Sequence, residues 1–313
     1  MTVQSPFSPS VQSGLWQPKR RLNKFMEIGV KVTFALFALI SVVTTIGIVA
    51  ILIFETMAFF QEVSLWRYLT ETEWTPLFAN QKFGILVLIS ATLLTTVIAA
   101  LVAIPIGLLS AIYLSEYASA RARQWLKPTL EILAGVPTVV YGYFALLVVT
   151  PLLQKIVPGL QGFNALSAGL VMGIAITPLV ASLSEDAIYA VPWSLRQGAY
   201  ALATTKREVI TGVVLPSALS GITASFVLAV SRAIGETMIV AIAAGQNPTL
   251  TFDPRVPVAT MTAYIVQVSK GDTPHGTLAY KTIFAVGMTL FLITLVLNVF
   301  SFWFVRRFRE KYE

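Results

Sequence analysis

The sequence predicts an all-α polytopic membrane protein with six transmembrane helices, and three observations carry that prediction. The first is composition. Of the 313 residues, 56% are hydrophobic and only 12% charged, with a mean hydropathy of +0.77, whereas an ordinary soluble domain carries roughly 25% charged residues. The second is the length of the uncharged runs. Residues 32 to 54, 83 to 115, 132 to 154, 156 to 184 and 282 to 305 contain no Asp, Glu, Lys or Arg. Each exceeds the roughly 20 residues that cross ~30 Å of hydrocarbon as a helix. The third is where the basic residues fall.

The net charge of +7 does not mark a nucleic-acid binder, because the basic residues stand in short clusters at the edges of apolar segments, the pattern that sets membrane topology. Placing both termini on one side gathers fourteen of them there: Lys19, Arg20, Arg21, Lys24, Arg121, Arg123, Lys127, Arg196, Lys206, Arg207, Arg306, Arg307, Arg309 and Lys311. Arg67, Lys82, Lys155, Arg255 and Lys270 fall on the other. That bias makes both termini cytoplasmic, and an even number of spans agrees.

In chain order, residues 1 to 26 read as a cytoplasmic N-terminal tail; the first 18 are rich in Ser, Pro and Gln without a period, which describes a mobile segment. Residues 27 to 313 form the membrane domain. Its spans are expected near 28 to 54, 83 to 114, 128 to 152, 165 to 185, 217 to 244 and 281 to 305. The first is too long for a signal-peptide core and has no small-residue cleavage site close behind it, so it reads as a retained anchor. Two long outside loops, 56 to 82 and 245 to 280, offer surfaces to an external partner, the first with Trp66 and Trp74 as interfacial anchors. Gly and Pro recur inside the spans, among them Pro105, Gly107, Gly135, Pro137, Gly142, Gly169, Gly173, Pro178, Gly221 and Gly235. Small residues let helices approach closely in lipid, and Pro breaks the backbone ladder where neighbours satisfy the freed groups. Broken helices also line substrate paths in transporters. The chain has no cysteine and one histidine, His275, so a thiolate or histidine metal site is not available.

The loop from 186 to 216 is too long for a simple turn. Pro192, Trp193 and Ser194 give a helix start, Leu195, Ala199 and Leu202 fall on one face, and Pro216 closes the segment or opens the next helix. An amphipathic helix pair beside a membrane with only Arg196, Lys206 and Arg207 against Glu208 suits docking to a protein better than binding to lipid.

This loop resembles the EAA loop of ABC-importer permeases, with Gln197, Gly198, Ala199, Ala203, Val213, Leu215 and Pro216 at the matching intervals. Two positions depart from the pattern. Gln197 stands where that family usually has Glu, and Ala203 where it usually has Gly, so a salt bridge from the first position to an ATPase is replaced at most by a hydrogen bond. The stretches I-L-A-G-V-P-T-V-V-Y-G (132 to 142), T-P-L-V-A-S-L-S-E-D-A (177 to 187), A-V-P (190 to 192) and S-R-A-I-G-E-T-M (231 to 238) are similar to the permease pair of phosphate importers. T-E-W-T-P-L-F (72 to 78) resembles the PstC type of that pair rather than the PstA type. The resemblance implies a type I ABC-importer permease fold in the bacterial cytoplasmic membrane, with helices two to six as the shared core and the first helix peripheral. It also implies a PstA-like sister permease, PstB-like ATP-binding subunits and an external PstS-like phosphate-binding protein. Its coupling residues map to Gln197, Gly198, Ala199, Ala203, Leu215 and Pro216. The chain contains no G-x-x-x-x-G-K-[ST] loop, so it cannot hydrolyse ATP by that route; the resemblance implies that ATP is bound by the partner subunits and that this chain takes no cofactor of its own.

Arg232 and Glu236 stand out within the fifth span. Counted along one helix at ~1.5 Å per residue, Arg232 lies about 24 Å from Pro216 and about 20 Å from Gly245, beyond side-chain reach of either end. A mid-bilayer Arg costs at least roughly 2.5 to 3.5 kcal/mol, so it is expected to face protein or water and to have a partner. Glu236, four residues on, is expected on the same face and paired with it. Either the two form a structural pair, or Arg232 faces the translocation path and meets oxyanion oxygens with its planar fork. Glu131, Glu185 and Asp186 are expected to be solvated helix ends. Two other classes remain open from the residues: a permease for another oxyanion such as phosphonate, sulfate or molybdate, and a secondary transporter or channel working without ATP. No Ser/His or metal-ligand constellation within the spans supports an enzyme.

Overall fold

The computed structural model describes residues 20–308, with side chains for 25–303; the first 19 residues of the expected tail, and the basic residues Lys19, Arg309 and Lys311, lie outside the described residues. The helix α1, Arg20–Glu62, takes in the rest of that tail. The chain divides into two compact units at Ile51 and Leu52. In the first unit every side chain from 25 to 46 is exposed. A helix apolar on all faces is suited to lipid.

The unit from Leu52 is built from helices throughout its described part. After the end of α1 come α2 (Leu65–Thr70), α3 (Leu86–Ile112, continuing as a π-helical turn, Tyr113–Tyr117), α4 (Ala120–Ala134), α5 (Thr138–Phe144), α6 (Thr150–Gln154) and α7 (Ala165–Tyr189). A second π-helical turn, Ala145–Val149, joins α5 to α6; after α7 come α8 (Trp193–Ala201), α9 (Lys206–Val209), a third π-helical turn (Ile210–Val214), α10 (Leu215–Ile234), α11 (Met238–Ala243), α12 (Met261–Lys270) and α13 (Leu278–Phe308). Among the described residues five helices are long and apolar enough to cross a membrane, and the bent pair Ala120–Ala134 and Thr138–Gln154 makes a sixth.

Two expected spans are not straight. The third folds by 86° between Ala134 and Thr138. Gly135 caps α4 and Pro137 opens α5, consistent with the rule that a residue before proline leaves the helical region. The fifth is displaced from 217 to 244: the membrane-length helix runs from Lys206 to Ile234, and the chain restarts only at Met238 as α11, so Arg232 stands near the end of the span and not at its middle.

The core is the contact of α3 with α7. A Cβ added to Gly169 would stand 2.7 Å from Cβ of Ile98, at Gly173 it would stand 2.7 Å from Val102, and at Gly107 2.6 Å from Val180. No real side chain tolerates such distances, so glycine is what lets the two backbones meet. The pairings rise together along both helices, so α3 and α7 run parallel. Helix α10 returns antiparallel: Ser184 and Ser225 hydroxyls meet at 2.8 Å, and Gly221 abuts Ala187.

The unit therefore has two ends. At one, residues 63 to 85, 155 to 164 and 245 to 277 form an aromatic end: Phe59, Tyr68, Trp74, Phe83 and Tyr264 pack edge to face, with Trp74 and Tyr264 at 5.1 Å and 88°. Trp74 pairs with Phe83 in a single antiparallel bridge, and Tyr68 and Tyr264 hydroxyls meet Thr289 and Thr282. Burial pushes both phenols up in pKa, so they stay neutral. At the other, basic end lie the first half of α4 and the 186 to 216 loop.

Candidate functional site

The loop that follows α7 folds as a helix, a tight turn and a second helix. Pro192 opens α8, and Leu195 and Ala199 turn inward onto the buried cluster that includes Ala111, Ile188 and Val191. Gln197 and Gly198 face out. Leu202, expected on the inner face, lies past the helix end and is 80% exposed. Its neighbour Ala203 has φ +58°, the left-handed region that costs an L-residue roughly 1–2 kcal/mol and glycine nothing comparable. The geometry thus accounts for the glycine that related loops place there. Thr205 then caps α9 in a capping box with Glu208. Leu215 is partly buried, and Pro216 does not open a helix: it lies inside one continuous helix from Lys206 to Ile234, just past the π-helical turn Ile210–Val214. Trp193, Tyr200 and Leu202 leave 60%, 41% and 80% of their surfaces open on this loop. Exposed apolar side chains of that kind suit contact with a protein or a membrane surface.

Arg232 sits in the last turn of α10 and Gly235 is its C-cap. Because the helix stops there, Glu236 is not one turn further on the same face, and the two do not pair. The Glu236 carboxylate instead accepts from the backbone N–H groups of Met238 at 3.1 Å and Ile239 at 3.4 Å, capping α11. Its carbonyl accepts from the Thr262 hydroxyl at 2.7 Å. Arg232 is exposed, and among the described residues its guanidinium has no hydrogen-bond or ion-pair partner. Helix α11 is held by Gly142 of α5, where an added Cβ would stand 3.0 Å from Ile242.

Two ion clusters at the basic end were not foreseen. Glu185, expected to be a solvated helix end, is 1% exposed. It holds Arg123 and, at 2.7 Å, Lys127, which also meets Asp186 at 3.0 Å. The sequence carried a signal: Arg123 and Lys127 are one turn apart on α4, so both reach the same carboxylate. The second cluster joins Glu116 to Arg196 at 2.9 Å. Glu116 is the acid that ends the uncharged run of the second span, a position that invites a partner.

The aromatic end carries an open cavity of about 580 Å³, lined in part by Trp74, Phe78, Phe163, Asn247 and Gln267. The 245 to 260 loop is fixed beside it by backbone bonds from Gln161 to Arg255, Ala165 to Val256 and Leu166 to Pro254. The ion pair of Arg255 with Asp253 draws that carboxyl down to about 2 through the guanidinium hydrogen bond.

The unit thus combines broken helices, close-packed glycines and an amphipathic loop at one end, and comparison with known proteins decides the family. Residues 103–312 match the family described as binding-protein-dependent transport system inner membrane component. The chain belongs to that family. A probable ABC transporter permease protein YqgH of Bacillus subtilis is 33% identical over 78% of this chain and 76% of its own length. The phosphate transport system permease protein PstC of Haemophilus influenzae is 31% identical over 87% and 90%. Among solved structures, a bacterial ABC transporter importing the polysaccharide alginate matches 93% of this chain and 100% of its own with a TM-score of 0.63 at 17% identity. The MetNI methionine transporter in inward-facing form matches 72% and 95% with a TM-score of 0.53 at 16% identity. At those identities the structures share the fold. A component of this family is a multi-span inner-membrane permease, not an enzyme, and works with an external binding protein and separate ATPase subunits.

Proposed function

We propose that this chain is the permease subunit of an ATP-driven phosphate importer, forming half of the translocation path with a PstA-like sister. PstB-like ATPases dock on the 186 to 216 loop and a PstS-like phosphate-binding protein docks at the aromatic end. Both termini, and with them the basic end, lie in the cytoplasm. The names of the relatives support the cargo, and one feature of this chain carries the reading: an exposed guanidinium, Arg232, without a partner among the described residues, at the end of a membrane span where the helix breaks. Such a group is costly in lipid and suited to bidentate contact with an oxyanion. Glu236 takes its place in the path by capping α11, which keeps the span broken beside Arg232.

Coupling to ATP follows from charge. A dianion entering a cell that is negative inside costs about 4.6 kcal/mol per 100 mV, twice the figure for one elementary charge. The driving force reaches the permease through α8, whose outward face carries Gln197 and Gly198 with Trp193 and Tyr200, while Ala199 seats the helix on the membrane domain. Ala203 gives the turn, and Leu215 with Pro216 passes it into α10.

Reconstituted with its partner subunits in proteoliposomes, the Arg232→Gln variant is expected to assemble and to lose phosphate uptake by roughly two orders of magnitude, the worth of charge-assisted hydrogen bonds to one group. Failure to assemble would make Arg232 structural. Competition by phosphonate, sulfate or molybdate in place of phosphate would assign another oxyanion. Uptake without ATP would restore the secondary transporter.

A further inference from the structure

The loop's outward face accounts for ATPase docking but leaves its most buried charge unexplained. Arg196 sits beside Gln197 and Gly198 on α8, yet it is 7% exposed. Its Nη2 reaches Glu116 Oε1 at 2.9 Å and donates to the Ile188 carbonyl at 2.9 Å, while its guanidinium lies 5.5 Å from the Trp193 ring. One side chain thus ties together α8, the end of α7 and the π-helical turn that ends α3. Lys206, the first residue of α9, takes the other side of the same residue: its Nζ donates to the Glu116 carbonyl and lies 4.6 Å from the Tyr117 ring. Both halves of the helix pair grasp Glu116.

Docking of the loop does not require this. Val191, Val209 and Val214 already bury themselves against Ala111, Ile188, Ala218 and Ile222, and a buried ion pair is weak evidence for stability because desolvation offsets its attraction. The pair is also incompletely satisfied, since Arg196 Nε is buried without a partner, which a purely stabilising contact would avoid. Its place on the π-helical turn Tyr113–Tyr117 matters. Such turns hold an extra residue within a helix and occur often at functional sites.

We infer that Glu116 and Arg196 form a latch that transmits movement of the coupling helix pair to the second span, with both as positioning residues that never touch the cargo. The inference rests on the reading of the 186 to 216 loop as the ATPase contact. A latch differs from a structural strut in one respect: without it the motor still binds and turns over, but its strokes no longer reach the path.

The test uses the whole importer in proteoliposomes with radiolabelled inorganic phosphate, measuring copurified ATPase, ATP hydrolysis and phosphate delivered per ATP. The variants are Glu116→Gln and the double apolar replacement Glu116→Leu with Arg196→Met, which removes both charges at similar volume and so preserves docking. Both are expected to retain the ATPases and hydrolysis while phosphate per ATP falls roughly tenfold, the scale on which network residues modulate coupling. An unchanged ratio in the double variant overturns the latch, and so does loss of bound ATPase in both variants, which would make the pair a strut. The underlying reading fails separately: if Gly198→Trp, on the exposed face, leaves ATPase binding and uptake intact, the loop is not the motor contact, whatever the latch variants do.

Discussion

The two ends of the unit from Leu52 are held by opposite chemistry. The aromatic end is closed by ring edges, a β-bridge and two buried phenol–threonine bonds. The basic end is closed by carboxylates buried against guanidinium and ammonium groups. Ring packing is short-ranged and rewards one fixed arrangement. Ion pairs in a protein interior contribute little net stability but specify which partners meet. The aromatic end is thus built as a rigid rim, and the basic end as a set of exchangeable contacts.

The comparison is broken most directly at the rim. Trp74, 1% exposed, packs against Tyr68 and Tyr264, so Trp74→Ala is expected to destabilise the unit by roughly 3–5 kcal/mol. Thermal unfolding in detergent would measure it. A loss of phosphate per ATP at unchanged stability would instead make this end part of the moving machinery.

At the basic end the effect is expected to reach the same size at most, and to be asymmetric. Glu185→Gln leaves Arg123 and Lys127, both about 30% exposed, free to hydrate, whereas replacing both bases by Met strands a carboxylate that is 1% exposed. The double replacement is expected to cost up to about 3–5 kcal/mol, the penalty of an unpaired buried charge, and Glu185→Gln about 1–3 kcal/mol. Equal losses, compared by thermal unfolding, would mean that Glu185 is not held as a charge.

What the sequence showed and what it hid divide along the same line. Apolar runs longer than a bilayer is thick are decided by composition alone, so the expected spans are found, with the first extended to Glu62, the third broken and the fifth displaced to Lys206–Ile234. The breaks were hidden because Gly135, Pro137 and Gly235 read equally well as packing residues, and only the 86° turn and the cap on α11 distinguish them. The pairing of Arg232 with Glu236 was drawn from a one-turn spacing that holds only within an unbroken helix. Glu185 and Glu116 were hidden for another reason: their partners are 58 to 80 positions away, and charge spacing along a chain says nothing about packing across it. The motifs that carry the family likeness, 132 to 142, 177 to 187 and 231 to 238, coincide with the two breaks and the buried Glu185 cluster.

A third effect separates the exposed turn from both ends. Ala203 holds a left-handed backbone at φ +58°, so Ala203→Gly is expected to relieve about 1 kcal/mol, the strain less the extra chain entropy of glycine. Because the turn lies between α8 and α9, the gain is expected as slower hydrogen exchange of residues 199 to 209 rather than as a higher melting temperature. Faster exchange there would show that the chain tolerates Ala203 without strain.

The smallest effect is a pH dependence confined to the aromatic end. Burial alone would raise the pKa of Glu71, but hydrogen bonds from the Phe83 N–H at 2.7 Å and the Arg67 guanidinium at 2.8 Å outweigh it and hold the carboxyl below its ordinary value. A depressed folded pKa means that the unfolded loop binds protons more readily than the folded one, so the stabilisation is complete above the ordinary carboxylate value of ~4.3 and is lost as pH falls through the folded value. The 67 to 83 loop is therefore expected to keep its protection at neutral pH and to open in acid, with Phe83 N–H exchanging early once intrinsic rates are corrected for pH. Glu71→Gln should show the opened loop already at neutral pH and remove the acid transition there, while the basic end keeps its own behaviour. An acid transition that persists in Glu71→Gln would locate the sensitive carboxylate elsewhere, with Asp253, drawn down to about 2 by Arg255, next at the same end.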